Sequence, residues 1–141
     1  MIKTYKDIYP KIDPTAKVLE GAVVIGDVTL GKNVSIWYNA VVRGDMAKVE
    51  IGDDTNIQDG AVIHTNSNLP SIIGSGVTVG HNAIIHAATI EDDVLIGMGS
   101  IILDGAIIKK DAYVAAGTLV PPGKVVASKT LVMGSPMRVV R

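Results

Sequence analysis

A branched aliphatic residue returns every sixth position along most of this chain. Val24, Leu30, Ile36 and Val42 open the series, and Ile51, Ile57 and Ile63 continue it. Ile73, Val79 and Ile85 follow, then Ile90, Ile96, Ile102, Ile108, Val114 and Val120. In the last block the fifth places are Val94, Ser100, Ala106, Ala112 and Thr118, all small or branched. A six-residue repeat of this kind is the mark of a parallel β-helix. Each hexad supplies one short strand and a corner, and three hexads close a triangular coil. Successive coils stack at about 4.8 Å, the spacing of hydrogen-bonded strands. First-position side chains point inward and stack in columns. No hexad buries its face alone, so stability is a sum of neighbour terms along the stack.

Composition agrees with an all-β chain. Val and Ile together number 37 against 7 Leu, with no Phe and 15 Gly. Side chains branched at Cβ favour strands, and the glycines supply tight corners. A single domain over 1–141 is expected, with regular hexads over about 18–125 and a short C-terminal extension at 126–141. The net charge of −1 offers nothing for bulk attraction to nucleic acid or an anionic membrane. The absence of cysteine excludes disulfides, a thiol nucleophile and a cysteine metal site. No apolar run approaches the roughly 20 residues of a membrane span, and the N-terminal residues lack an apolar signal core. The expected compartment is the cytoplasm.

Breaks in the beat are where function concentrates. Val42 to Ile51 is nine residues, Ile63 to Ile73 is ten, and Ile85 to Ile90 is five. The second and third breaks bracket all three histidines, His64, His81 and His86. The hexads from Ile63, Ile73, Val79 and Ile85 are consecutive, so the last lies one coil above the first. His64 and His86 both take the second, outward place, and are expected to stack closely enough to share one metal at about 2.1 Å each. His81 takes the third place of its own hexad, on a different face. A neighbouring subunit in a three-fold oligomer would bring it to the same ion, and three imidazoles with an open fourth position match a catalytic zinc. Arg43 underlies His64 by the same count, and Gln58 lies one coil below the hexad that carries His81. Asp45 and Asp59 are the partners expected for Arg43, whose fork suits carboxylates.

Arg43-Gly44-Asp45, Asn56-Ile57-Gln58-Asp59-Gly60, Val62-Ile63-His64, Gly80-His81-Asn82 and His86, with Met133-Gly134-Ser135-Pro136 near the end, resemble the γ-class carbonic anhydrase family over nearly the whole chain. The resemblance implies a left-handed β-helix and a homotrimer with zinc, or Fe(II) or cobalt, at each subunit interface. His64 and His86 would bind the ion from one subunit and His81 from its neighbour. Gln58 would contact the metal-bound water or bicarbonate, with Asn56 nearby. Arg43, Asp45 and Asp59 would form an ion-pair set at the boundary. The implied activity is reversible hydration of carbon dioxide to bicarbonate. Two departures are visible. Met46 and the uncharged stretch from Thr65 to Ser71 stand where members with a dedicated proton relay carry glutamate and an acidic loop, so slow turnover is expected. The C-terminal helix of the family is expected to be missing, since the chain stops at Arg141. A hexad acyltransferase or thioesterase acting on coenzyme A esters, and a non-catalytic metal-binding scaffold, are the competing functions.

Overall fold

The computed structural model describes all of residues 1–141 and contains no helix. Twenty strands build a parallel β-solenoid of about 7 turns. Each coil crosses three faces in turn. The first face carries Lys17–Val18, Ser35–Ile36, Asn56–Ile57, Thr78–Val79, Leu95–Ile96, Tyr113–Val114 and Leu131–Met133. The second begins with the first halves of Val23–Leu30 and Val41–Ile51, then Val62–His64, Ile84–His86, Ile101–Ile102 and Leu119–Val120. The third takes Lys11–Ile12, the second halves of the two long strands, then Ser71–Ile73, Thr89–Ile90, Ile107–Ile108 and Val125–Val126.

Every first-position residue from Val24 to Val120 is buried in one continuous core cluster. In-register pairing of parallel strands puts like on like, as in Ile57 against Val79 and Ile63 against Ile85. The small fifth places fill the corners. There the backbone turns polar groups inward, and buried hydroxyls satisfy them: Ser100 donates to the Ala115 carbonyl at 2.9 Å and Thr55 to that of Gly74 at 2.7 Å. One corner requires glycine. Gly60 has φ +71°, and a Cβ there would collide at 2.1 Å with the Asn82 side-chain oxygen stacked above it. The beat also runs further than 125, because Val126 pairs with Ile108 and Val132 with Val114. Only then does Arg138–Val139 fold back antiparallel on Leu131–Met133.

Each break has a structural form. Gly26 pairs with Gly44 and Val28 with Val49, so Asp45–Lys48 bulges opposite the single Asp27. The ten-residue step holds a tight loop closed between Asn66 and Leu69 by two backbone hydrogen bonds of 3.1 and 3.0 Å. The five-residue step is taken up at Ala87, which adopts φ 51° and is buried with Ala88. All three breaks lie at the corner between the second and third faces.

Replacing Ile96 by alanine deletes part of the inward column of the first face, and is expected to cost about 2–5 kcal/mol. A denaturation midpoint within error of the unsubstituted protein would contradict this account of the core.

Candidate metal centre

The second face lies between two polar edges. One edge is the corner that leads onto it from the first face, where Tyr38, Asn39, Asp59, Gly60, His81 and Asn82 line an open cleft of about 480 Å³. The other is the broken corner that leads off it, where His64 and His86 end adjacent strands. Between them runs an outward column of Val23, Val41, Val62, Ile84, Ile101 and Leu119, paired strand to strand. Ile84 and Ile101 in this column are exposed. An uninterrupted apolar stripe bounded by polar residues is the usual form of an association surface.

His64 and His86 pair directly in the ladder. Their ring centroids lie 5.1 Å apart, and His64 Nδ1 stands 3.2 Å from His86 Nε2. The opposite nitrogen of each ring meets a carboxylate. His64 Nε2 is 2.8 Å from Asp45 Oδ1, and His86 Nδ1 is 2.5 Å from Asp104 Oδ1. With each outer nitrogen donating its N–H to a carboxylate, two lone pairs are left facing each other across 3.2 Å. A cation shared between the rings, or a proton held by one of them, satisfies that arrangement. Two ligands at about 2.1 Å from a tetrahedral zinc are themselves about 3.4 Å apart, so the pair fits one ion.

Asp45 also receives Arg43 Nη1 at 2.5 Å and the Met46 N–H at 2.9 Å. Burial would raise its pKa, but the hydrogen bonds from His64 and Arg43 outweigh that and hold the carboxyl below its ordinary value. Asp104 is likewise held low, first by the Asn66 side chain and then by His86.

His81 stands at the other edge, in line with its different place in the hexad. No three His, Asp or Glu side chains of one chain converge on a common point. Gln58 lies beside His81 on the first face, its amide donating to Asn56 Oδ1 at 3.1 Å, while Asn56 donates to Thr78 Oγ1 at 3.2 Å. The expected grouping of Arg43 with both Asp45 and Asp59 is not what one chain contains. Arg43 meets Asp45, whereas Asp59 faces His81, with Oδ1 3.3 Å from Nδ1. Register explains this, because Asp59 and His81 are both third in hexads one coil apart. Asp104 and Asn66 are members of the site that sequence reading missed. Asp104 is one place past Leu103, which the register sets above His86, so carrying the count one coil further would have found it.

Residues 87–122 match the family described as bacterial transferase hexapeptide (six repeats). Over 141 residues the chain is 49% identical to a carbonic anhydrase of Geobacillus kaustophilus, spanning 100% of this chain and 78% of that protein. The chain belongs to the γ-class carbonic anhydrase-like family. It is also 45% identical to gamma carbonic anhydrase 1, mitochondrial, of Arabidopsis thaliana, spanning 96% of this chain and 51% of that one. Among solved structures, a hexapeptide transferase family protein from Anaplasma phagocytophilum superposes with a TM-score of 0.96 at 44% identity, over 99% of this chain and 82% of that one. The solenoid is thus a left-handed β-helix of the hexapeptide-repeat kind.

Because Asp45 ionises more readily folded than unfolded, it contributes stability above the unfolded carboxyl value near 3.9, and that contribution is lost as pH falls through the lower folded value. Asp45→Asn is expected to lower the melting temperature near pH 6. The gap from the unsubstituted protein should close on acidification below about pH 4. A gap independent of pH would show that the carboxylate charge is not what matters there.

Proposed function

We propose that this protein is a metal-dependent carbonic anhydrase of the γ class, working as a homotrimer with one ion at each subunit boundary. The observation that carries the reading is the opposed pair of imidazole nitrogens, each backed by a carboxylate that fixes its ring. The apolar second face supports the three-fold assembly in that reading. That face has His81 on one edge and the histidine pair on the other, so packing it in a ring brings unlike edges of neighbours together. His64 and His86 of one subunit, with the His81 position of the next, would hold the ion. Imidazole ligation suits zinc, and Fe(II) or cobalt as well.

The ion supplies one thing, an acidified water able to act as nucleophile near neutral pH. The chain's own residues do the rest. Gln58, oriented by Asn56, presents a neutral amide at the His81 edge, suited to hydrogen bonding with water or bicarbonate. Arg43, fixed by Asp45, supplies a cation next to the histidine pair. The apolar column between the edges excludes water from the boundary. Proton export is the weak half. Met46 is exposed beside Asp45, and no acidic side chain follows it until Glu50.

The test is elemental analysis of anaerobically purified protein, then a carbon dioxide hydration assay across buffer concentrations. Stoichiometric metal and a rate that rises with buffer are expected, and Met46→Glu should raise the rate chiefly at low buffer. Metal-loaded protein that hydrates no carbon dioxide at any buffer concentration would overturn the reading, and turnover of acyl-coenzyme A esters would replace it with the transferase one. His81→Ala is expected to lose the metal and weaken the trimer together. A monomer that keeps one ion per chain would refute the shared site.

A further inference from the structure

The four extra residues in the coil that carries His64 have no part in the solenoid core. Their loop is nevertheless tied at three points to His64, to the bulge that carries Asp45 and to Asp104 behind His86. Ser71 donates its hydroxyl to the His64 carbonyl at 2.6 Å, and Thr65 Oγ1 accepts the Ala47 N–H at 3.1 Å. Both hydroxyl residues are fully buried. At the tip, Asn66 Nδ2 donates to Asp104 Oδ2 at 2.8 Å, while Asn66 Oδ1 accepts the Ser67 N–H at 2.8 Å. Asp104 therefore has one oxygen on the loop and the other on His86. Asn66 and Asp104 are 38 residues apart and belong to coils on opposite sides of His86. The loop thus reaches past the strand of His86 to hold the carboxylate behind it.

We propose that the inserted loop is a positioning device for the metal ligands, acting through Asn66 and Asp104 to fix the ring of His86. This inference rests on the metal reading above. A carboxylate on the far nitrogen of a ligating histidine sets the tautomer, aims the ring and makes the ligating nitrogen more basic. Asp104 does this for His86 as Asp45 does for His64. A carboxylate with only one oxygen engaged can swing about its own side-chain bond. Asn66 removes that freedom by engaging the second oxygen. Asn66 and Asp104 are positioning residues and touch neither ion nor substrate.

The experiment is competitive titration of cobalt(II) into the assembled, metal-stripped protein, followed by the visible d–d absorption of the bound ion. Asp104→Ala is expected to weaken binding about 10–100-fold, the range seen when such supporting residues are lost. Asp104→Asn, which keeps an acceptor oxygen for the ring N–H, should recover part of that loss. Asn66→Ala should weaken binding by less than Asp104→Ala and alter the cobalt spectrum in the same direction. Asn66 is exposed, so its replacement keeps the test open if Asp104→Ala does not fold. Asp53→Ala serves as the structural control. It removes a carboxylate that accepts the Lys32 N–H at 2.8 Å at a corner without histidine, and should lower the melting temperature with no change in affinity. Unchanged cobalt affinity and spectrum in both the Asn66 and the Asp104 variants would overturn the proposal and leave the metal reading intact. Failure of the unsubstituted protein to bind cobalt or zinc would overturn both.

Discussion

The register between neighbouring coils decides where every other group in this molecule can be. Parallel strands that pair without slippage repeat each position at the strand spacing of about 4.8 Å, on the same face and pointing the same way. Inward, that rule stacks Ile and Val on Ile and Val, and closes a core with almost no polar content beyond the corner hydroxyls. Outward, it sets His86 on His64. Two imidazoles then share a narrow space because the backbone leaves them no alternative. A slip of one residue would send both rings into the core and bring Ile63 and Ile85 to the surface, which the burial of those two makes prohibitive.

The departures from the repeat supply what a perfect prism cannot. The bulge Asp45–Lys48 brings Asp45 behind His64 and turns Arg43 onto it. The loop after His64 reaches Asp104, and the shortened step at Ala87 brings the next strand in directly after His86. All of this happens at one corner, while the corner that bears His81 keeps its regular six-residue turn. The polar chemistry has been gathered where the core periodicity was given up.

Much of this was legible in the residues themselves. The repeat dictated the coil, its faces and the pairing of His64 with His86, since register arithmetic is insensitive to side-chain detail. It placed His81 on a separate edge for the same reason. Asp59 shows the same arithmetic, since within one chain its hexad position puts it beneath His81, and its expected pairing with Arg43 is one between subunits. Asp104 and Asn66 were hidden from it. Asp104 is one place off the histidine column and reaches sideways, and Asn66 sits in an insertion that has no place in the repeat, so no periodic count predicts its contact.

The division of the histidines between two edges of one face has an energetic consequence. Each chain alone presents an apolar stripe to water and a histidine pair without a third ligand. Under the proposed three-fold packing one event relieves both. Burying the stripe favours association through the area removed from water, and association completes a ligand set that no single chain contains. Anything that binds only the assembled form stabilises that form in proportion to its own affinity. In that packing ion and assembly would reinforce each other, and a modest interface would suffice where an isolated chain with three ligands of its own would need no partner at all.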